Sequence, residues 1–292
     1  MALTTWDAFN EFYDRIQVSP QLRAKVKQRQ SAVIDALRRA FPSTADIRYR
    51  STTLTGSLGR GTASNPADDM DLLVHLSVDN SLWDSGYSSN SSDFLYRVKN
   101  TLNSASTVQK IGARGQAVRL FYSDNLTVDV AAVEKYTDGS FAIPDGHGNW
   151  LKTNPLKHAE YIDARNAELG GNLKRFVQIV KQWNMAHGSR LQSFHLEMLA
   201  ARTFSKLGAN SRDALEIFFR HNLNNLRVED PAGFSGDLST YLTPAQAQLV
   251  NQSLQTALDR AHAANKAANS GDHREAIRLW RIILGDNFPI YS

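Results

Sequence analysis

The chain has 292 residues, 42% hydrophobic and 21% charged, with 33 lysines and arginines against 29 aspartates and glutamates, a formal charge of +4. That length supplies core for one large domain or two lobes, and the absence of cysteine excludes disulfides and thiolate metal sites. No apolar run is long enough to span a bilayer and no signal-peptide pattern opens the chain, which predicts a cytoplasmic protein without a membrane partner.

Trp6, Phe9, Phe12, Tyr13 and Ile16 recur at helical spacing, and Ser19-Pro20 is a cap and first-turn pair that opens a longer helix. Leu22, Val26, Val33, Ile34, Leu37 and Phe41 form its buried stripe, and Arg23, Lys25, Lys27, Arg29, Arg38 and Arg39 a basic face, either solvated or a surface for a polyanion. A strand over 46–54 leads into GSLGRGTASNPADDMDLLVHL, residues 56–76. A helix over 92–105 follows, then strands over 108–111, 117–122 and 126–133, joined by turns at Ala113-Arg114-Gly115 and Ser123-Asp124-Asn125. Short strands flank the Gly-rich turn 144–148, where a lone His147 reads as solvent-exposed. From residue 153 the strand signals stop, and helices are predicted over 155–184, 191–207, 212–224, 244–269 and 273–284. The change of class divides the chain into lobes 1–152 and 153–292.

The chemistry concentrates in residues 56–76. Side chains at i and i+2 of a strand share a face, so Asp69 and Asp71 present two carboxylates side by side. At about 4 Å and an effective dielectric near 20 such a pair repels by about 4 kcal/mol, which a bound cation relieves. Oxygen donors with no Cys or His nearby favour Mg2+ or Mn2+. Gly56 and Ser57 ahead of them suit a phosphate, through close backbone approach, N–H groups and a hydroxyl. In LTVDVAAVE, Asp129 alternates with Leu126, Val128 and Val130 and falls on the face away from the large apolar residues. If the two strands lie side by side, three carboxylates converge, the ligand set of a two-metal nucleotidyl-transfer site.

A Gly-Ser pair, an Asp-x-Asp on a strand and a lone Asp on a later strand resemble the polymerase-β-like nucleotidyltransferases. GSLGRGTAS…DMDLLV is similar to their bacterial cGAS/DncV-like branch, and TNPLKHAEYI, IVKQWN, SFHLEML and AIRLWRIILGDNFP extend the likeness along most of the chain. The resemblance implies an α+β, bilobal polymerase-β-like fold: a mixed β-sheet catalytic lobe with N-terminal spine helices, an α-helical lobe completing the nucleotide cleft, and a long N-terminal helix spanning both. It implies a cyclic di- or trinucleotide synthase using ATP and another NTP, GTP by preference, with two Mg2+ (or Mn2+) ions on Asp69, Asp71 and Asp129. Gly56 and Ser57 would grip the donor triphosphate, Lys181 its oxygens, and Ser193 and Phe194 the phosphate or ribose and a base face. The product would activate an effector protein in anti-phage signalling, and no zinc insertion is present to imply activation by DNA. A linear oligoadenylate synthase, or an enzyme modifying an RNA or protein acceptor, would use the same three aspartates.

Overall fold

The computed structural model describes residues 3–105, 108–124 and 126–292, so Asn125 of the predicted turn lies outside the described residues. Along the first half run α1 (Thr5–Ile16), α2 (Pro20–Ala40), β1 (Ile47–Leu54), α3 (Gly56–Arg60), β2 (Asp69–Val78), α4 (Asn80–Ser85), α5 (Ser91–Ala105), β3 (Lys110–Arg114), β4 (Ala117–Phe121) and β5 (Thr127–Lys135). Then follow β6 (Phe141–Pro144), β7 (Trp150–Thr153), α6 (Pro155–Glu168), α7 (Leu173–Ala186), α8 (Ser193–Thr203), α9 (Ser211–Asn222), α10 (Pro244–Asn269) and α11 (His273–Leu284). The caps explain several starts. Ser19 accepts from the Leu22 N–H ahead of α2, and Thr243 closes a capping box with Gln246 ahead of α10. No helix among the described residues is long and apolar enough to cross a membrane.

These elements form two compact units. One holds Ser19–Arg60 and Ala67–Ala159, and the other the chain up to Val18, Gly61–Pro66 and Glu160–Ser292. The helix α1 and residues 61–66, which the sequence reading assigns to the first lobe, thus pack with the helical unit, while α2 belongs to the sheet unit.

The sheet unit carries a mixed sheet in the order β1-β2-β5-β4-β3, with β6 and β7 continuing from the end of β5. The β2–β5 pair is parallel and the other pairings are antiparallel. Period-two alternation turns Met70, Leu72, Val74 and Leu76 of β2 and Val128, Val130 and Ala132 of β5 into a core. Leu37 of α2 and Phe94, Val98 and Leu102 of α5 join them. Each large side chain buried there contributes about 1.5–3 kcal/mol. Leu73 and Val133, on the other face, are covered by Phe141 and Ile143. The helical unit closes around Phe176, Val177, Val180 and Trp183 of α7, with Phe9 of α1 edge-on to Trp280 of α11 at 5.1 Å.

The single helix predicted over 155–184 is two. Gly170 and Gly171 hold left-handed backbones, φ +65° and +82°, and end α6 before α7 begins. The helix predicted over 191–207 contracts to α8, and the turn predicted at Gly56 is the one-turn helix α3.

Candidate active site

Register builds the site. In the parallel pair, Asp71 of β2 lies opposite Asp129 of β5 and Asp69 opposite Thr127. Antiparallel pairing of β4 with β5 sets Arg119 opposite Asp129. Asp71, Asp129 and Arg119 therefore form one row across three adjacent strands, spaced by about 4.8 Å per strand. Arg119 grips Asp129 with both arms of its guanidinium: Nε donates to Oδ1 at 2.6 Å and Nη2 donates to Oδ2.

Gly56 is fixed by the same row. Its φ is +60°, and a Cβ there would stand 1.8 Å from Asp71 Oδ2. The Thr55 N–H donates to the Asp71 carbonyl at 2.8 Å, which locks the entry of α3 to β2. Ser57, half-buried, occupies the first turn of α3. The sheet unit thus brings Gly56, Ser57, Asp69, Asp71 and Asp129 into one neighbourhood.

The electrostatics are those of an anionic cluster short of cations. The Asp71 carboxyl is pushed up to about 6, by burial first and then by the charges of Asp69 and Asp129, with Arg60 and Arg119 pulling the other way. The hydrogen bond to Asp129 holds the Arg119 guanidinium above its ordinary value. Donor type and charge fit a hard divalent ion. Among the described residues, however, no three acidic or imidazole groups already converge as a ready-made cage. Asp129 is engaged by Arg119 through one hydrogen bond to each oxygen, which leaves the second lone pair of each oxygen for another partner.

The remaining predicted residues belong to the helical unit. The Lys181 ammonium is buried rather than presented to solvent. It donates to Glu197 Oε1 at 2.7 Å and to the Thr62 carbonyl at 3.1 Å, and Glu197 is fully buried. Ser193 is exposed at the start of α8, and Phe194, half-buried, packs against the helical core. Arg119 is absent from the sequence reading, though a signal existed. Arg119 and Asp129 stand five residues on either side of Asp124, the centre of the predicted turn between their strands, so a regular hairpin pairs them.

Comparison with known proteins bears on this geometry. The Second Messenger Oligonucleotide or Dinucleotide Synthetase domain matches residues 1–166. A probable cyclic nucleotide synthase of Bacillus cereus strain VD146 is 26% identical over 272 residues, 81% of this chain and 82% of that protein. A cyclic AMP-AMP-AMP synthase of an Acinetobacter species is 28% identical over 182 residues, 56% of this chain and 51% of that protein. Among solved structures, CdnC of E. coli MS115-1 with ATP superposes with a TM-score of 0.79 at 18% identity, covering 97% of this chain and 98% of that one. The same CdnC is also solved in a complex with HORMA-deltaN. The structural likeness shows the polymerase-β-like α+β fold.

Proposed function

The chain belongs to the Second Messenger Oligonucleotide or Dinucleotide Synthetase family and is a nucleotidyltransferase; from that premise we propose that it condenses ATP and a second nucleoside triphosphate, GTP, into a cyclic di- or trinucleotide. The observation that carries this reading is the Asp71–Asp129 register with Gly56 pressed on Asp71. The synthases named among its relatives support it. In each step a ribose hydroxyl oxygen attacks the α-phosphorus of a donor triphosphate. The new P–O bond forms as the bond to pyrophosphate breaks, and Asp129, oriented by Arg119, accepts the hydroxyl proton or completes the ligand set. Two Mg2+ or Mn2+ ions held by Asp69, Asp71 and Asp129 would supply neutralisation of phosphate charge in that step. Gly56 and Ser57 grip the donor triphosphate. Ser193 reaches phosphate or ribose, and Phe194 offers a base-stacking face worth about 1–3 kcal/mol.

The product acts on a separate effector in anti-phage signalling, in the cytoplasm, and duplex DNA leaves the rate unchanged. A protein of the HORMA kind, which the E. coli relative binds, is the candidate regulator. The test is mass spectrometry of products from all four NTPs with Mg2+ and no RNA. A phosphatase-resistant, adenine-containing cyclic product is expected. A linear 5′-triphosphate oligomer, or product only when RNA is added, moves the enzyme to a different acceptor.

A further inference from the structure

Between α3 and β2 the chain leaves the sheet unit for six residues, Gly61–Pro66, and packs in the helical unit. The segment has no regular secondary structure over Thr62–Ser64, yet Thr62, Ala63 and Ser64 are 0%, 5% and 7% exposed. Buried carbonyls outside a helix or ladder must find side-chain partners. Here they come from one face of α7, at positions i, i+3 and i+4: Gln178, Lys181 and Gln182, all less than a tenth exposed.

Gln178 Nε2 donates to the Ala63 carbonyl at 2.8 Å. Lys181 Nζ donates to the Thr62 carbonyl at 3.1 Å, its charge balanced by Glu197. Gln182 Nε2 donates to the Asn65 carbonyl at 2.8 Å and to Ser64 Oγ at 3.2 Å. The other end of each amide is also engaged: Gln17 donates to Gln178 Oε1 at 3.0 Å and Asn287 to Gln182 Oε1 at 2.9 Å. An apolar α7 face would be cheaper to bury, so this polar stripe has a specific task.

The clasped residues run from the end of α3 to the start of β2; the Thr55–Asp71 bond already holds Gly56 against Asp71, so play in the clasp falls on the far end of α3 and on Asp69, which opens β2. We propose that Gln178, Lys181 and Gln182 are positioning residues for nucleotidyl transfer, clamping the connection that leads from α3 to Asp69 at the start of the Asp-x-Asp strand. The proposal rests on the reading of those motifs as the catalytic site, and it gives Lys181 a task other than binding triphosphate oxygens. A misplacement of reacting groups by about 1 Å costs about a hundredfold in rate, so loosening the clasp falls on kcat.

The test uses the full-length enzyme with Gln178→Met/Gln182→Met, which keeps side-chain length and removes the donors, and separately Lys181→Met and Lys181→Arg. The expected result for both Met variants is a kcat lowered about 10- to 100-fold with apparent KM for ATP within about twofold, and Lys181→Arg restores most of the rate. Amide hydrogen exchange, which needs no activity, is expected to rise in residues 61–65 of the double variant while α7 to α9 stay protected. Unchanged exchange in 61–65 overturns the clasp. A KM for ATP raised more than about tenfold with kcat intact overturns the positioning role and puts Lys181 on the substrate. If wild type makes no nucleotide product either alone or with a protein of the HORMA kind added, the functional reading fails by itself, while the exchange result still decides whether the clasp exists.

Discussion

At pH 7 the Asp71 carboxylate is ionised against its surroundings, since burial and the charges of Asp69 and Asp129 raise its pKa from 3.8 to about 6. A carboxyl raised on folding stabilises the folded chain fully below its unfolded value, and that contribution is lost as pH rises through the folded value. Metal-free Asp71→Asn protein, which has no such loss, is therefore expected to exceed wild type in stability by about 2–3 kcal/mol at about pH 8, and by little at about pH 4. Urea denaturation in EDTA across that range reads the difference; an advantage independent of pH would contradict the electrostatic account. That Asp69 and Asp71 share a face of β2 was legible because strand spacing decides which side chains share a face, while the Asp71–Asp129 register needed the parallel pairing of β2 with β5. The Lys181–Glu197 pair was not legible, although both residues stand in the segments that carried the family likeness, because a helical stripe says which side is buried and not which buried groups meet.

At the scale of elements, α3 and β2 act as one piece, joined by the Thr55–Asp71 backbone bond and by the contact of Gly56 with the Asp71 carboxylate. Gly56→Ala puts a Cβ at 1.8 Å from Asp71 Oδ2 and forces an alanine to φ +60°. The backbone term alone costs about 1–2 kcal/mol. We expect Gly56→Ala to lose at least that much stability and all product. Adding Asp71→Ala should return more stability to Gly56→Ala than the same substitution gives wild type, and none of the activity, as read by thermal denaturation and product assay. Stability changes that simply add in the double variant would show that the contact with Asp71 is not the cause. The strand β2 was readable from its apolar run Leu72-Leu73-Val74 and β5 from its alternation. The helix α3 was not, since one turn is too short to display a period, and the apolar period running on past Gly170-Gly171 hid the break between α6 and α7. The partners of residues 62–65 lie more than a hundred positions away, beyond the reach of any local pattern.

For the whole molecule, the switch from period two to period 3.6 near residue 153 marked the class change; the helices start at Pro155 with α6, while the helical unit takes up the chain from Glu160, inside that helix. The interleaving escaped notice because a boundary drawn once along the sequence has no place for a six-residue return such as Gly61–Pro66. A formal charge of +4 is mild, so attraction of triphosphates rests on local groups, and the account stands on one cluster of acids in the sheet unit. The most direct test of its central claim is mass spectrometry of the products of wild type and of Asp69→Asn/Asp71→Asn with all four NTPs, each with Mg2+ and again in excess EDTA. The account predicts a cyclic, adenine-containing product from wild type with Mg2+, and none from wild type in EDTA or from the folded double variant under either condition. Near wild-type product from the double variant, or full turnover in EDTA, would contradict it.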